Sequence, residues 1–543
     1  MRNYYNEIKT VLDADPKYRD RLFCRGYLLT DAELACADAY PFYGMWNRHD
    51  FGGYHLYVHP LEKGYTYIDG DDSIAMVGYA CNPYTDEIDE NAIIKQLLDT
   101  YRKDKNAFYD LLDELTGVFV LFLKLGTETI ALQDCSSPKG ICYGCKDGKV
   151  YFSSAPQLSA DVMGLTIDPQ AEKLLESRGY HYGSGFMPGN LTTFKELKRL
   201  GCNTQLRYKD GNFKIERFFP RPETPNVELK TEEERVAQVE EMHRILSNSI
   251  TMLLKKFKNV GLSLTGGMDS RGELACTAPD YDRVFVFSFC SKPSEKIDAD
   301  AAAQICAEIG IPHHFYQIPE DETEIEDYDF LQKVIEHSTS YMSKIHPNEK
   351  RKFIWLQKHK DFDDELKADV SEIGRAFANR KYHKVNMPRV LAPRHFTIVQ
   401  GRYFLEPKLM KYCDKAFRSF MDETGLTDDM YGYTMQDLFY WEVKTGSWAS
   451  TVYTMQCYMQ QILMAYNNRN LMRMFLRFPE EERKKDEPHW RLIARGDQRL
   501  KDVQLQVKDS YLGKKRMAVE TAYYYYATRL NTMGEKRKKT KKS

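Results

Sequence analysis

The chain has 543 residues, 42% of them hydrophobic, and a formal net charge of -2 at pH 7. This length suffices for two or more domains, each with its own core, and the near-neutral charge gives no overall attraction to nucleic acid or to a membrane surface. No apolar run reaches transmembrane length, so we expect no membrane span. The 12 cysteines are scattered, which favours reduced thiols in a cytoplasmic protein over a zinc site.

The first part of the chain alternates short strand-like runs with turns. Residues 54–58, 74–78, 117–124 and 150–153 are rich in β-branched and aromatic side chains, as strands are. Two helical stretches interrupt them, near 92–102 and 104–115. This pattern predicts an α+β domain built on antiparallel sheets, which we place at residues 1–218.

A proline-rich segment at residues 219–230 marks the end of that domain. Its prolines favour a stiff, extended linker. Directly after it, Thr231 and Glu234 have the spacing of a capping box, and apolar residues then recur at helical intervals as far as residue 253. The sequence therefore predicts a long amphipathic helix that opens a second domain.

The second domain alternates strands with helices. Residues 260–264, 283–289 and 313–318 have the composition of buried strands, with helical segments at 271–277 and 298–309 and a mainly helical pattern from about 400 onward. Such alternation predicts a parallel sheet whose ligands gather at the carboxyl ends of its strands. We place this α/β domain, with its helical C-terminal part, at 231–525, and expect the basic tail at 526–543 to be disordered.

The first predicted strand of this sheet runs into the segment Thr265-Gly266-Gly267-Met268-Asp269-Ser270. Two glycines let backbone N–H groups approach an anion closely, and a helix N-terminus behind them adds a positive dipole. Asp269 supplies the hard oxygen that Mg²⁺ prefers. No Gly-Lys-Ser/Thr follows, so this is not a Walker loop. The alternative is a plain Gly-Gly turn between strand and helix.

The segment resembles the pyrophosphate (PP) loop, Ser-Gly-Gly-x-Asp-Ser, of ATP pyrophosphatases, with Thr265 replacing the first Ser. Other fragments are similar to asparagine synthetases in the same order: 115–119, 133–143, 150–154 and 194–206 to the glutaminase domain, and 465–479 to the synthetase domain. The resemblance implies two domains. The first would be a class II glutamine amidotransferase-like domain with the αββα sandwich of Ntn hydrolases. The second would be a PP-loop domain of the adenine nucleotide α-hydrolase kind, using ATP and Mg²⁺.

The resemblance also implies which residues would hold ATP. They lie on the strand, the loop, the helix start and the neighbouring strand: Leu262, Ser263, Leu264, Thr265, Gly266, Gly267, Met268, Asp269, Ser270, Phe287 and Ser288.

A second acidic motif of the family, Ser-Gly-x-x-x-Asp-Glu, has an altered counterpart at residues 367–375. Glu372 aligns with the final acid, Ser371 replaces the preceding Asp, and Asp369 would restore an oxygen ligand. The implied metal ligands are thus Asp269, Asp369 and Glu372. The alternative is an acidic helix start with a surface salt bridge.

Two cationic residues complete the implied catalytic set with Glu372. Arg375 carries a guanidinium suited to phosphate or carboxylate. Lys508 best matches, by order along the chain, a late lysine that stabilises the leaving pyrophosphate in active members of the family. Lys514 and Lys515 are competitors for this role, and a solvated lysine is the alternative for each.

The chain departs from the family at the N-terminal nucleophile. Glutamine-using members carry a Cys directly after the initiator Met, and its thiol and α-amine act as nucleophile and base. Here position 2 is Arg2, and the nearest cysteine, Cys24, would need 23 residues to be removed. Leu22 and Phe23 beside it favour a buried structural thiol. We therefore expect a glutaminase fold without glutaminase activity, similar in this to β-lactam synthetases and lasso-peptide cyclases.

These features predict an AMP-forming amide ligase. It would adenylate the carboxylate of a small molecule, glycan or peptide and transfer the acyl group to an amine or to ammonia. The alternatives are a glutamine-dependent asparagine synthetase, against which Arg2 argues, and a non-catalytic ATP-binding scaffold, against which the intact loop argues. Enzymes that act on tRNA share the loop but leave the first half unexplained, so we expect no nucleic-acid partner. A homodimer remains open.

Overall fold

The computed structural model describes residues 4–183, 185–376, 391–403, 405–503 and 522, with the backbone alone at 294 and 345. Lys508, Lys514, Lys515 and the tail at 526–543 lie outside the described residues.

The first part of the chain forms two six-stranded antiparallel sheets. Their strands, in chain order, are β1 (Tyr27–Thr30), β2 (Asn47–Phe51), β3 (Tyr54–Val58), β4 (Gly64–Asp69), β5 (Asp72–Cys81), β6 (Thr116–Leu125), β7 (Glu128–Gln133), β8 (Cys142–Lys146), β9 (Lys149–Ser153), β10 (Lys198–Arg199), β11 (Thr204–Lys209) and β12 (Asn212–Arg217). The first sheet has the order β10-β8-β9-β1-β3-β2 and the second the order β12-β11-β7-β6-β5-β4.

The two sheets pack face to face because their strands alternate between two buried sides. In β5, Ala75 and Val77 join the core between the sheets, whereas Ile74 and Met76 pack on the other side. Helices Glu90–Lys103 and Lys105–Glu114 cover that outer side, and Pro156–Met163 contacts β8 and β9. The prediction of antiparallel sheets with two helices is confirmed; the assignment to the Ntn-hydrolase class stays a prediction.

The second part holds a five-stranded parallel sheet. Its strands are β13 (Val260–Ser263), β14 (Val284–Cys290), β15 (His314–Gln317), β16 (Asp364–Leu366) and β17 (Ile462–Leu463), in the order β15-β14-β13-β16-β17. The first three strands were predicted and are confirmed. The last two are only three and two residues long, too short for a periodic signal.

Helices surround this sheet. The long predicted helix is Glu232–Lys256, with the Thr231–Glu234 capping box in place, and five of its apolar side chains, Val239, Met242, Leu246, Ile250 and Leu253, are buried. Further α-helices among the described residues of the second part are Met268–Ala275, Pro293–Ile309, Tyr328–Ser338, Pro347–His359, Pro393–Gln400, Pro407–Thr424, Met435–Leu438, Gly446–Cys457, Arg469–Leu476, Glu480–Lys484, Glu487–Gly496 and Gln498–Asp502, with a π-helical turn at Phe439–Thr445. Helices Tyr4–Ala14, Pro169–Leu175 and Arg178–His181 belong to the first part. Among the described helices, none has the length and apolar run needed to cross a membrane.

The two parts are joined by a buried ion pair as well as by the linker. Arg469, 1% exposed, donates to Asp113 at 3.1 Å and to the carbonyl oxygens of Asp134 and Cys202 at 3.0 and 3.2 Å. A guanidinium without solvent contact must have such partners to offset its lost hydration. Position 469 therefore fixes the helical C-terminal part against the antiparallel sheets.

Candidate functional site

The Thr265–Ser270 loop lies at the carboxyl end of β13, the central strand of the parallel sheet. Gly267 caps the following helix, which begins at Met268 rather than at the predicted residue 271. Because the extended Gly267 is the last residue before the helix, Asp269 and Ser270 fall in the first helical turn. The positive end of this short helix therefore lies at the carboxyl edge of the sheet.

The loop is held by hydrogen bonds among its own residues. Thr265 Oγ1 accepts from the Gly267 N–H at 3.1 Å, and Ser270 Oγ accepts from the Thr265 N–H at 3.2 Å. Leu264 continues the strand by donating its N–H to the Phe287 carbonyl at 2.8 Å. The hydroxyl groups at 265 and 270 thus fix the turn that the glycines permit.

Two residues outside the predicted set hydrogen-bond to the loop backbone at Gly266. The buried Arg271 donates to the Gly266 carbonyl at 3.4 Å and to the Leu500 carbonyl at 3.2 Å. Asp298 accepts a hydrogen bond from the Gly266 N–H, while burial raises the pKa of its carboxyl group. Neither residue carries a sequence signal, since Asp298 reaches Gly266 from a later helix, Pro293–Ile309, and Arg271 is held by Leu500 near the end of the described chain.

The second acidic segment, residues 367–375, follows β16, the parallel neighbour of β13. Strand ends of one parallel sheet lie at the same edge, so this pairing brings the segment to the loop. Arg375 donates to Asp269 Oδ2 at 2.6 Å and to Asp486 at 2.9 Å, and Ser371 donates to Asp269 Oδ1. These contacts bring Asp269, Ser371 and Arg375 together, with Arg375 bound to carboxylates.

Glu372 and Asp369 are partly buried acids at this edge. Burial raises the pKa of both carboxyl groups, and the Tyr440 hydroxyl donates to Glu372. On the loop helix, Glu273 is 1% exposed, and burial together with Asp369 and Glu365 raises its pKa well above the usual range. Three carboxyl groups with raised pKa values thus lie near this edge of the sheet.

A cavity of about 330 Å³ opens between the loop and the second acidic segment. Eight of the predicted site residues line it: Ser263, Leu264, Thr265, Asp269, Ser270, Ser288, Asp369 and Glu372. The side chains of Leu262 and Phe287 are buried in the core instead, and Met268 packs partly buried against it.

Two lysines that the sequence did not single out also line this cavity. Lys352 lies 2.6 Å from Glu349, with its Nζ 4.3 Å from the Phe289 ring centre, and Lys367 lies 3.9 Å from Glu365. Both come from segments whose charges resemble any solvated surface in the sequence. They supply positive charge beside the loop. The predicted Lys508 lies outside the described residues.

The three acids predicted to hold a metal, Asp269, Asp369 and Glu372, all line the cavity. Within the described ranges, however, no group of three or more His, Cys, Asp or Glu side chains is arranged to hold a metal ion. Both Asp269 oxygens are already engaged by Arg375 and Ser371. Asp269 is thus paired with a guanidinium and a hydroxyl group here, and metal ligation by the three acids stays a prediction.

Cys24 lies in the first part of the chain and is not among the residues that line this cavity. It is 7% exposed, and burial raises the pKa of its thiol. The residues before it belong to the core: Leu12 and Leu22 are fully buried, and the Phe23 N–H donates to Ser338 Oγ at 3.0 Å. The prediction of a buried thiol is confirmed.

In the comparison with known proteins, the family match lies in the second part of the chain. Residues 241–344 match the family model of asparagine synthase, a range that includes the loop and β13 to β15. The match supports an ATP-using carbon–nitrogen ligase at the level of the family. No protein of curated function matches the sequence.

Two solved structures are similar over longer ranges. The allosteric regulatory enzyme of purine biosynthesis has 11% identity and a TM-score of 0.23, covering 55% of this chain and 60% of that one. Glutamine phosphoribosylpyrophosphate amidotransferase from B. subtilis, complexed with ADP and GMP, has 10% identity and a TM-score of 0.23, covering 61% of this chain and 89% of that one. The chain thus spans about 60% of the length of the first of these proteins.

Proposed function

We propose that the chain is an ATP-dependent carbon–nitrogen ligase that forms AMP and pyrophosphate. A carboxylate oxygen of the substrate attacks the α-phosphorus of ATP, pyrophosphate leaves, and an amine or ammonia displaces AMP from the acyl-adenylate. The observation that carries this proposal is the Thr265–Ser270 loop at the end of β13, which opens on a cavity that Lys352 and Lys367 also line. The family match over 241–344 supports it.

Each part of the site has a role in this reaction. The N–H groups in the first turn of the Met268–Ala275 helix would bind phosphate oxygens. Lys352 and Lys367 would stabilise the charge that builds on the leaving pyrophosphate, where fixed cations lower the barrier most. Mg²⁺, when it accompanies ATP, would neutralise phosphate charge.

The first part of the chain would lack glutaminase activity. The nucleophile of such domains is an N-terminal residue whose free α-amine acts as the base. Cys24 has its nitrogen in a peptide bond, and the segment before it packs into the core. The amine would therefore come from a second substrate or from free ammonia.

Pyrophosphate release tests the proposal. The purified protein is incubated with ATP, Mg²⁺ and pools of candidate carboxylates, with and without glutamine, ammonia or added amines. We expect release that depends on a particular carboxylate and not on glutamine. Dependence on glutamine would favour an asparagine synthetase, and absence of both ATP binding and release would favour a scaffold.

A pair of matched variants ties the activity to the loop. Asp269→Asn keeps the shape of the side chain but removes the charge that positions Arg375, and we expect release to fall by about 100-fold. Asp280→Asn removes an exposed charge just beyond the same helix and should leave release unchanged. Wild-type release by Asp269→Asn would contradict this assignment of the site.

A further inference from the structure

Asp269 is the acid of the loop, yet both of its oxygens are engaged by neighbouring side chains. Arg375 Nη1 lies 2.6 Å from Oδ2, and Ser371 Oγ donates to Oδ1. The same guanidinium turns its Nε toward Asp486 at 2.9 Å. One cation thus bridges two carboxylates beside the loop.

A guanidinium and a divalent metal ion compete for the same carboxylate oxygens. Arg375 carries a permanent charge and several N–H donors in a fixed plane, so it holds Asp269 and Asp486 at once. A Mg²⁺ ion bound by protein would need several oxygen ligands. Ser371 offers Asp269 a hydroxyl donor where a second carboxylate would be needed.

The pairing of Arg375 with Asp269 changes the charge that a phosphate group meets beside the loop. An uncompensated Asp269 in the first turn of the helix would repel incoming phosphate groups. With 22% of its side chain exposed, Asp269 faces the cavity, and Arg375 neutralises it from behind. Phosphates can then approach the loop without a cation held by this carboxylate.

We propose that Arg375 takes the place of a protein-bound divalent cation at Asp269. Any Mg²⁺ in the reaction is then bound through the nucleotide and not through this carboxylate. The identity of the nucleotide rests on the proposed function, but the claim about the metal does not.

Mn²⁺ binding, followed by electron paramagnetic resonance without nucleotide, tests this claim. Wild-type protein and Asp269→Asn should bind Mn²⁺ equally. The double variant Ser371→Asp/Arg375→Met removes the guanidinium and supplies a second carboxylate, so we expect one new Mn²⁺ site, at least about tenfold tighter than any in the wild type. Adding Asp269→Asn to the double variant should abolish that site.

Controls separate the possible outcomes. Arg495→Met removes one partner of the exposed pair with Glu240 and should leave Mn²⁺ binding unchanged. A wild-type Mn²⁺ site that disappears in Asp269→Asn would overturn the proposal, as would a double variant that folds, by circular dichroism, but gains no site. Should the double variant fail to fold, the comparison of wild type with Asp269→Asn decides alone. Absence of both ATP binding and pyrophosphate release would overturn the proposed function without changing these results.

Discussion

The loop and the second acidic segment occupy the same edge of the parallel sheet but are held in different ways. Thr265, Gly267 and Ser270 hydrogen-bond to one another within six residues of sequence. The second segment, at residues 367–375, depends on Tyr440, Asp486 and His489, which come from much later in the chain. The conformation of the loop can therefore be predicted from its own sequence. That of the second segment depends on residues that only the fold brings near it.

Among substitutions in the two segments, we expect the largest loss of stability at Arg375. Arg375→Met leaves the carboxylates of Asp269 and Asp486 without their shared cation, and Asp486 is only 4% exposed. We expect the free energy of unfolding to fall by about 2 kcal/mol, measured by urea denaturation. Arg495→Met, at an exposed pair, should change it by less than about 0.5 kcal/mol. Equal effects of the two variants would mean that distant partners do not hold the second segment.

A smaller loss of stability is expected from a substitution inside the loop. Thr265→Val keeps the shape of the side chain but removes the oxygen that accepts from the Gly267 N–H. Because the loop is solvent-accessible there, one lost hydrogen bond should cost about 1 kcal/mol in the free energy of unfolding. Thr10→Val on an exposed helix is the matched control. A cost as large as that of Arg375→Met would remove the distinction between the two regions.

The sequence predicted the parts of the fold and site that are determined locally. Strands β13 to β15, the capped helix after Thr231 and the loop all carry periodic or turn signals within a short window. Strands β16 and β17 are too short to show a period, and the lysines at 352 and 367 have no spacing that sets them apart. Their roles arise only when the sheet brings strand ends together.

Glu273 lies on the loop helix and interacts with Asp369 of the second segment, so the pH dependence of stability tests their proximity. Burial, with Asp369 and Glu365 nearby, raises its pKa well above the usual range, so the folded protein keeps a proton that the unfolded chain releases near pH 4. Stability from this group is therefore fully present below about pH 4 and is lost as pH rises toward the raised folded-state pKa. Glu273→Gln removes that loss, and we expect Tm at pH 8 to rise by about 2 °C. The gain should vanish near pH 4; a gain independent of pH would point to packing instead.

The smallest expected effect concerns Cys24, where the local sequence and the fold agree on a buried thiol. Leu22, Phe23 and the helix before them are packed into the core, so that segment cannot leave without exposing it. Cys24→Ala should therefore leave ammonia release from glutamine at the background level of the wild type. Ammonia is measured with and without ATP, because a ligase turnover could otherwise mask a slow hydrolysis. Glutamine hydrolysis by the wild type that disappears in Cys24→Ala would show that the buried thiol is reached, and the first part of the chain would then be an active glutaminase.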